Sequence, residues 1–457
     1  MKKTTVLLLL ITAAVTAMAQ RKNISHSDDA ESLFDYTRQV ISNDARFNFV
    51  VLCNPEFSTS DTADCLLQHA LDEIKTMKDI AVVVLLGNIT ANGTPAQLSA
   101  AHDILERSEL EYLVLPGNRD LSYRPTAGTD FKRIFGDDRF RSNVNGIQFL
   151  GINTSLITDS TKGHFLPQDM LWLRNQLKSI GKKTPILAFT SNGLSTNSID
   201  NWIEITNLLR KHNTQLCINA ADNTFARREY DQVCGFTIED VRSSYLVGYV
   251  RGTTLYLNRK QLGGSLHPAD TITIEAKMYL EPEKQKKSKQ KDNSIVWQYR
   301  NPYAIYTAAT VSDSYCYFGD DSGMLYCLDL TKGKVKWKYR TVLRIVTKPI
   351  AVGNRLLFGG CDRNLYCLNA VTGEFIWKVR TERPITCQPL IEGDTVYIDK
   401  TDSTQYLIDL RTGEEGRPRL SSARCPYHDG ERTTVIDNND YITTTIDGIV
   451  TRRTTKR

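Results

Sequence analysis

Leu113-Val114-Leu115-Pro116-Gly117-Asn118-Arg119-Asp120 is the stretch whose reading decides the fold. A short apolar run that stops at Pro-Gly reads as a buried strand presenting polar residues at its tip. Two earlier stretches have the same form. Phe47-Asn48-Phe49-Val50-Val51-Leu52-Cys53 runs into Asn54-Pro55-Glu56, and residues 80–86 run into Gly87-Asn88-Ile89-Thr90. Ligands of open α/β sheets bind beyond the carboxyl ends of the strands. Asn54, Glu56, Asn88, Asn118, Arg119 and Asp120 are therefore candidates for one site.

Outward from these tips, residues 45–281 alternate strand and helix patterns. Helices are expected over 62–77, 95–108 and 168–180, the last with Leu171, Leu173 and Leu177 at helical spacing. Between them, 147–152, 185–189 and 216–219 read as strands. Such alternation implies α/β layering, with sheets covered by helices.

The strand tips resemble those of the calcineurin-like metallophosphoesterase family, which read Asp-x-His, then Gly-Asp, then Gly-Asn-His-Asp or Gly-Asn-His-Glu. The segment Gly163-His164-Phe165-Leu166-Pro167-Gln168, followed by Trp172-Leu173, also resembles the lead-in to a family helix. The resemblance covers roughly 230 residues and implies a layered metallophosphoesterase-like sandwich. It also implies two divalent ions about 3.5–4 Å apart that activate a water for attack on phosphorus. Such ions repel by on the order of 15 kcal/mol at an effective dielectric near 20, so anionic ligands must offset them.

Carried onto this sequence, the first aspartate position is Asn54 and its histidine partner is Glu56. The bridging aspartate is Asn88. Asn118 is retained, and Arg119 replaces the histidine that protonates the leaving group. The later histidine positions fall on Asn192, then on Ala221 and Asn223. All seven histidines of the chain lie elsewhere. Asn in place of Asp keeps shape but loses charge, and a guanidinium cannot act as a general acid near neutral pH. The expectation is a degenerate site with Arg119 paired to Asp120. It is read as a relic, as a pocket holding an anionic or sugar ligand, or as one hard cation on Glu56, Asn118 and Asp120.

Before this region, Lys2 and Lys3, an apolar run over 6–15 and Ala17-Met18-Ala19 form a Sec-type signal segment cleaved after Ala19. The run is too short to span a bilayer, so an exported, periplasmic or secreted chain without stable membrane insertion is expected. Residues 20–44 read as a leader. With 41% apolar and 24% charged residues the composition is globular. The net charge of +5 sits largely in two local runs, 284–291 and 452–457, which argues against a nucleic-acid partner. Of ten cysteines, most read as small buried hydrophobes, Cys217 and Cys234 being the local pair to test as a disulfide. No C-x-x-C spacing supports a thiolate metal site.

The charged stretch 282–294 reads as a linker. Beyond it, over 295–457, the chain repeats. Trp297, Trp337 and Trp377 recur every 40 residues, as do Gly333, Gly373 and Gly413. Leu325-Tyr326-Cys327-Leu328-Asp329 recurs as Leu365-Tyr366-Cys367-Leu368-Asn369, and weakly as Gln405-Tyr406-Leu407-Ile408-Asp409. That period with short alternating strands is the signature of propeller blades. The unit resembles the quinoprotein-type (PQQ-like) repeat, which implies that the Trp and Gly dock neighbouring blades. About four blades are expected, the last degenerate, with no quinone site.

The combined expectation is an exported, non-catalytic binding or scaffold protein without a cofactor. Its propeller would engage an envelope protein or a second copy of itself. The alternative is a metal-dependent phosphoesterase with two divalent metals in an atypical site.

Overall fold

The computed structural model describes residues 42, 44–59, 63–122, 126, 128–155, 162–220, 224–277, 292–400, 404–420, 424–426 and 431–455. The signal segment, most of the leader, residues 282–291 of the linker, and Ala221 and Asn223 lie outside them.

Among the described residues the first region contains twelve strands and six helices. The strands are β1 (Arg46–Cys53), β2 (Ile80–Gly87), β3 (Tyr112–Pro116), β4 (Phe140–Val144), β5 (Ile147–Ile152), β6 (Ile186–Thr190), β7 (Thr214–Ala220), β8 (Ala226–Tyr230), β9 (Val233–Ile238), β10 (Tyr245–Arg251), β11 (Thr254–Lys260) and β12 (Leu266–Thr273). The helices are α1 (Ala63–Lys75), α2 (Pro95–Ser108), α3 (Asn118–Ser122), α4 (Thr129–Phe135), α5 (Pro167–Ser179) and α6 (Trp202–Leu209).

Two six-stranded sheets form, ordered β12-β11-β10-β1-β2-β3 and β4-β5-β6-β7-β9-β8. Their apolar inner faces meet in one core, where Phe49 packs edge-on against Phe149 at 5.2 Å. The outer face of the first sheet is covered by α1, α2 and α4, and that of the second by α5 and α6. Both faces of each sheet are thereby removed from water, which explains the continuous apolar runs of the central strands. Because β1, β2 and β3 run parallel, their carboxyl ends share one edge.

Two expectations change. Leu171 is 44% exposed, because the buried stripe of α5 runs through Met170, Leu173 and Leu177 and Leu171 lies beside it. Cys217 and Cys234 are both free. Cys217 sits opposite Gly235 on the neighbouring strand and packs under the helices, whereas Cys234 faces the inter-sheet core. Opposite faces of a pleated sheet cannot be bridged.

The second region is all-β: four four-stranded sheets. Blade one spans 310–340, blade two 350–380 and blade three 390–420. The closing blade joins Thr433–Val435, Asp440–Thr444 and Ile449–Thr454 to Ile295–Arg300, so the region's first strand completes its last, degenerate copy. Trp297, Trp337 and Trp377 each donate an indole N–H to the next blade, at Leu330, Ala370 and Leu410 carbonyls respectively. Gly333, Gly373 and Gly413 have φ of +66° to +76°, and a Cβ on any of them would fall 2.6–2.7 Å from the docked indole. The next place in the period is Arg417. Among the described residues, apolar clusters join the closing blade to one, one to two, and two to three, but none joins three to the closing blade.

The two regions touch through the segment that leads into α5. Leu166 packs with Ala304, Tyr306, Val346 and Cys361. The Gln168 amide donates to Asp321 and accepts from the Ala304 N–H, both at 3.0 Å. His164 is buried, with Nδ1 2.6 Å from Asp200 and Nε2 2.7 Å from Asp447 of the second region. Burial opposes its charge, but Asp447 and Asp200 outweigh this and raise its pKa above the ordinary histidine value. A raised pKa contributes stability that is complete below the unfolded value near 6.5 and is lost as pH rises through the folded value. Contact between the regions is thus expected to weaken on raising the pH above neutrality. Unfolding midpoints from pH 6 to 9 check this: Asp447→Asn should flatten the dependence, and an unchanged slope would contradict it.

Candidate functional site

The tips of β1, β2 and β3 bring together Asn54, Glu56, Asn88, Asn118, Arg119 and Asp120. Asn54 and Glu56 both have φ of +46°, which turns the chain back across the sheet edge. Asn tolerates this left-handed region and Glu rarely does, so the backbone here is held by its surroundings. The Asn54 N–H donates to the Leu86 carbonyl, and the Glu56 N–H donates to that of Asn88. The Asn54 side-chain oxygen accepts from the Asn88 N–H at 2.9 Å. The Asn88 side-chain oxygen in turn accepts from the Arg119 N–H at 3.2 Å. Gly117 allows this approach, since a Cβ there would lie 2.2 Å from that oxygen. The side-chain oxygens of Asn54 and Asn88, at two of the metal-ligand positions, are thus engaged by backbone N–H groups.

Asp120 is fully buried. Its carboxylate accepts the N–H groups of Ile89, Thr90 and Gly117 and the hydroxyl of Thr90, at 2.7–3.0 Å. Burial pushes its carboxyl up to about 6, against the pull of these donors. Asp120 is a knot tying two strand tips together. The expected Arg119–Asp120 pair does not form, because the first turn of α3 points Asp120 inward and Arg119 outward.

Arg119 instead pairs with Glu56, Nη1 to Oε1 at 2.8 Å. The other oxygen of Glu56 takes Arg242 Nη2 at 2.9 Å. Glu56 is thus held between two guanidinium groups that are themselves 52% and 57% exposed. Arg242 had no signal in the sequence: it follows β9 and lies 186 residues from its partner. Counting Glu56, Arg119 and Arg242, the rim carries one net positive charge.

From the second sheet, Ser155 and Ser191 hydroxyls both donate to the Pro116 carbonyl, anchoring the tips of β5 and β6 on that of β3. Asn192 folds back, its amide donating to the Thr154 carbonyl at 3.4 Å. None of the histidines of the described residues joins this cluster. His164, outside the site, is one of the contacts with the second region.

Two divalent ions do not fit this arrangement. The buried Asp120 has its oxygens filled by four donors, Glu56 is neutralised by two arginines, and the remaining candidate ligands among the described residues are amides. A single hard cation on Glu56, Asn118 and Asp120 meets the same obstacle, because Asp120 points away into the strand junction.

Comparison with known proteins matches both halves of this architecture. Residues 287–439 match the family model described as outer membrane protein assembly factor BamB, of the PQQ-repeat type. The N-terminal region is similar to the serine/threonine-protein phosphatase CPPED1 of Bos taurus, 28% identical over 156 residues. The chain joins a phosphoesterase-like region to a BamB-like repeat domain. The match to CPPED1 covers 32% of this chain and 50% of that protein, so the chain spans about half the length of the curated relative. Among solved structures, BamB from Moraxella catarrhalis is 18% identical and covers 52% of this chain and 82% of that one, with a TM-score of 0.21. A europium-containing methanol dehydrogenase is 18% identical over 28% of this chain and 27% of that one, with a TM-score of 0.26.

Proposed function

We propose that the chain is an exported, non-catalytic binding and scaffold protein, in which the phosphoesterase-like region holds a filled, metal-free strand-tip site. One observation carries the reading: Glu56 lies between Arg119 and Arg242, where the family's chemistry requires cations. A charge that would attract a metal is spent on the chain's own guanidinium groups.

The partner proposed for the repeat domain is an envelope protein. The family model it matches is described as an outer-membrane assembly factor, and blade propellers present their sheets and loops as interaction surface. The seam between blade three and the closing blade supports the same reading: Leu420, which ends blade three, and Val435, in the Thr433–Val435 strand of the closing blade, are 77% and 72% exposed. Self-association through that seam is distinguished by light scattering on the purified chain: a strict monomer removes it and leaves the envelope partner.

The catalytic alternative is tested directly. The purified chain with manganese, zinc, iron or calcium should show no metal-dependent turnover of nitrophenyl phosphate mono- or diesters. Turnover that disappears in Glu56→Ala or Asn118→Ala would overturn the reading.

A further inference from the structure

The 40-residue repeat is broken at three positions, and the three breaks meet at one point. In blade two the Thr347 hydroxyl donates to the Gly359 carbonyl at 2.9 Å and accepts that residue's N–H at 3.1 Å. Gly359 also makes room for Ile385, whose side chain would lie 2.3 Å from a Cβ at that position. Blade one repeats the second contact, with Gly319 under Ile345 at 2.3 Å. Forty residues after Thr347, Gly359 and Ile385 stand Cys387, Asp399 and Cys425. A threonine, a glycine and an isoleucine have become two thiols and a carboxylate.

These replacements converge in space. The two sulfurs and a carboxylate oxygen all lie within 4.8 Å of one another. Cys387 and Cys425 are buried, and the Cys425 thiol donates to the Tyr397 carbonyl at 3.3 Å. The carboxylate is already oriented: Gln405 donates to Asp399 Oδ1 at 2.7 Å and the Cys425 N–H donates to Oδ2 at 3.1 Å. The Gln388 N–H donates to the Pro426 carbonyl at 2.8 Å, which fixes the two cysteine-bearing segments side by side. The cluster opens on a cleft of about 200 Å³ lined also by Lys400 and Tyr406.

We propose that Cys387, Asp399 and Cys425 bind one zinc-class divalent cation, with the fourth position open to this cleft. Two soft sulfurs and one oxygen suit Zn²⁺ in a tetrahedral shell, with bonds of about 2.3 Å to sulfur and 2.0 Å to oxygen. A disulfide would account for the two cysteines but not for the Gly-to-Asp change at the same point. Binding converts both S–H groups to thiolates, and their two protons pass to solvent. The resulting centre carries one net negative charge, and Lys400 lines the same cleft to offset it. The ligands come from the lead-in to blade three, the end of its second strand and the segment that follows its last strand, which is why no C-x-x-C spacing announces them. The site is remote in sequence from the strand tips and independent of their reading.

The test uses the full chain, reduced and then freed of reductant and metal without air. Titration with Zn²⁺ should bind one equivalent at this site, and Co²⁺ should develop a thiolate-to-metal charge-transfer absorption. Cys387→Ser and Cys425→Ser should each abolish that absorption, and Gln405→Ala should weaken binding about 10- to 100-fold. The triple variant Cys387→Thr/Asp399→Gly/Cys425→Ile restores the pattern of blades one and two. It should fold and lose the equivalent. Absence of the charge-transfer band, equal zinc binding by the triple variant, or isolation of the exported protein with Cys387 and Cys425 joined as a disulfide would overturn the proposal.

Discussion

Asp120→Ala is expected to destabilise the first region by roughly 3–5 kcal/mol, read from urea unfolding of the purified chain. Four donors converge on this carboxylate within 3.0 Å, all of them in buried surroundings. Each unsatisfied buried donor costs roughly 1–3 kcal/mol, and relaxation recovers only part. Asp120→Asn should cost less, about 2–3 kcal/mol, because the shape survives while an amide N–H₂ now faces N–H groups. The pH dependence has a definite sign. Burial raises the folded carboxyl from 3.8 to about 6, so its linked stability is complete below 3.8 and is lost as pH rises through 6. The advantage of Asp120 over Asn should therefore shrink between pH 4.5 and 7. A loss under about 1 kcal/mol for the alanine variant would mean that the strand tips are held by something else.

The second large effect is expected in the repeat domain. Trp377 is buried between blades two and three and donates to Leu410. Its replacement by alanine should cost roughly 3–5 kcal/mol. Gly413 has φ +76°, and its absent Cβ leaves the indole 2.7 Å from where that atom would stand. Gly413→Ala should cost roughly 1–3 kcal/mol, from left-handed strain and displacement of the ring. The pair should be less than additive, because removing the indole removes the clash and leaves only the backbone strain. Strict additivity in a double-mutant cycle would show that the two residues do not meet.

Much of this frame was legible because it rests on periodicity. The run 95–108 begins at Pro and carries a helical apolar stripe, and α2 occupies those residues. The 40-residue return of Trp and Gly identified the docking contacts, since blades built on one repeat meet through the same pair of residues at three seams. The strand tips were legible as a set, because Pro116-Gly117 and the polar residues after each apolar run end strands on one edge. Which charge meets which was not. Arg119 and Asp120 are neighbours in sequence, but a helical turn sends their side chains in different directions, and the partner of Glu56 from the far side of the region is Arg242. Leu171 misled for a related reason: it fits a helical spacing with its neighbours, but the stripe that faces the sheet lies one residue away. The His164 contact was hidden because half of it lies 283 residues downstream. The Cys387–Asp399–Cys425 cluster was present in the repeat as three departures from its own pattern.

These features divide the molecule by charge. In the phosphoesterase-like region, the amide oxygens of Asn54 and Asn88 are occupied by backbone N–H groups, the carboxylate of Asp120 is consumed by the fold, and Glu56 is held by two arginines. Stabilisation has been taken from groups that an enzyme of this frame would leave for cations. In the repeat domain, neutral blade contacts have been exchanged at one point for groups that attract a metal.

Anomalous scattering from crystals of the full chain soaked in Mn²⁺ tests the first half most directly, because it locates ions rather than counting them. No peak is predicted within bonding distance of Asn54, Asn88 or Asn118, with Arg119 and Arg242 still on Glu56. Two peaks about 3.5–4 Å apart beside Asn88, in protein that hydrolyses a phosphate ester, would contradict the account.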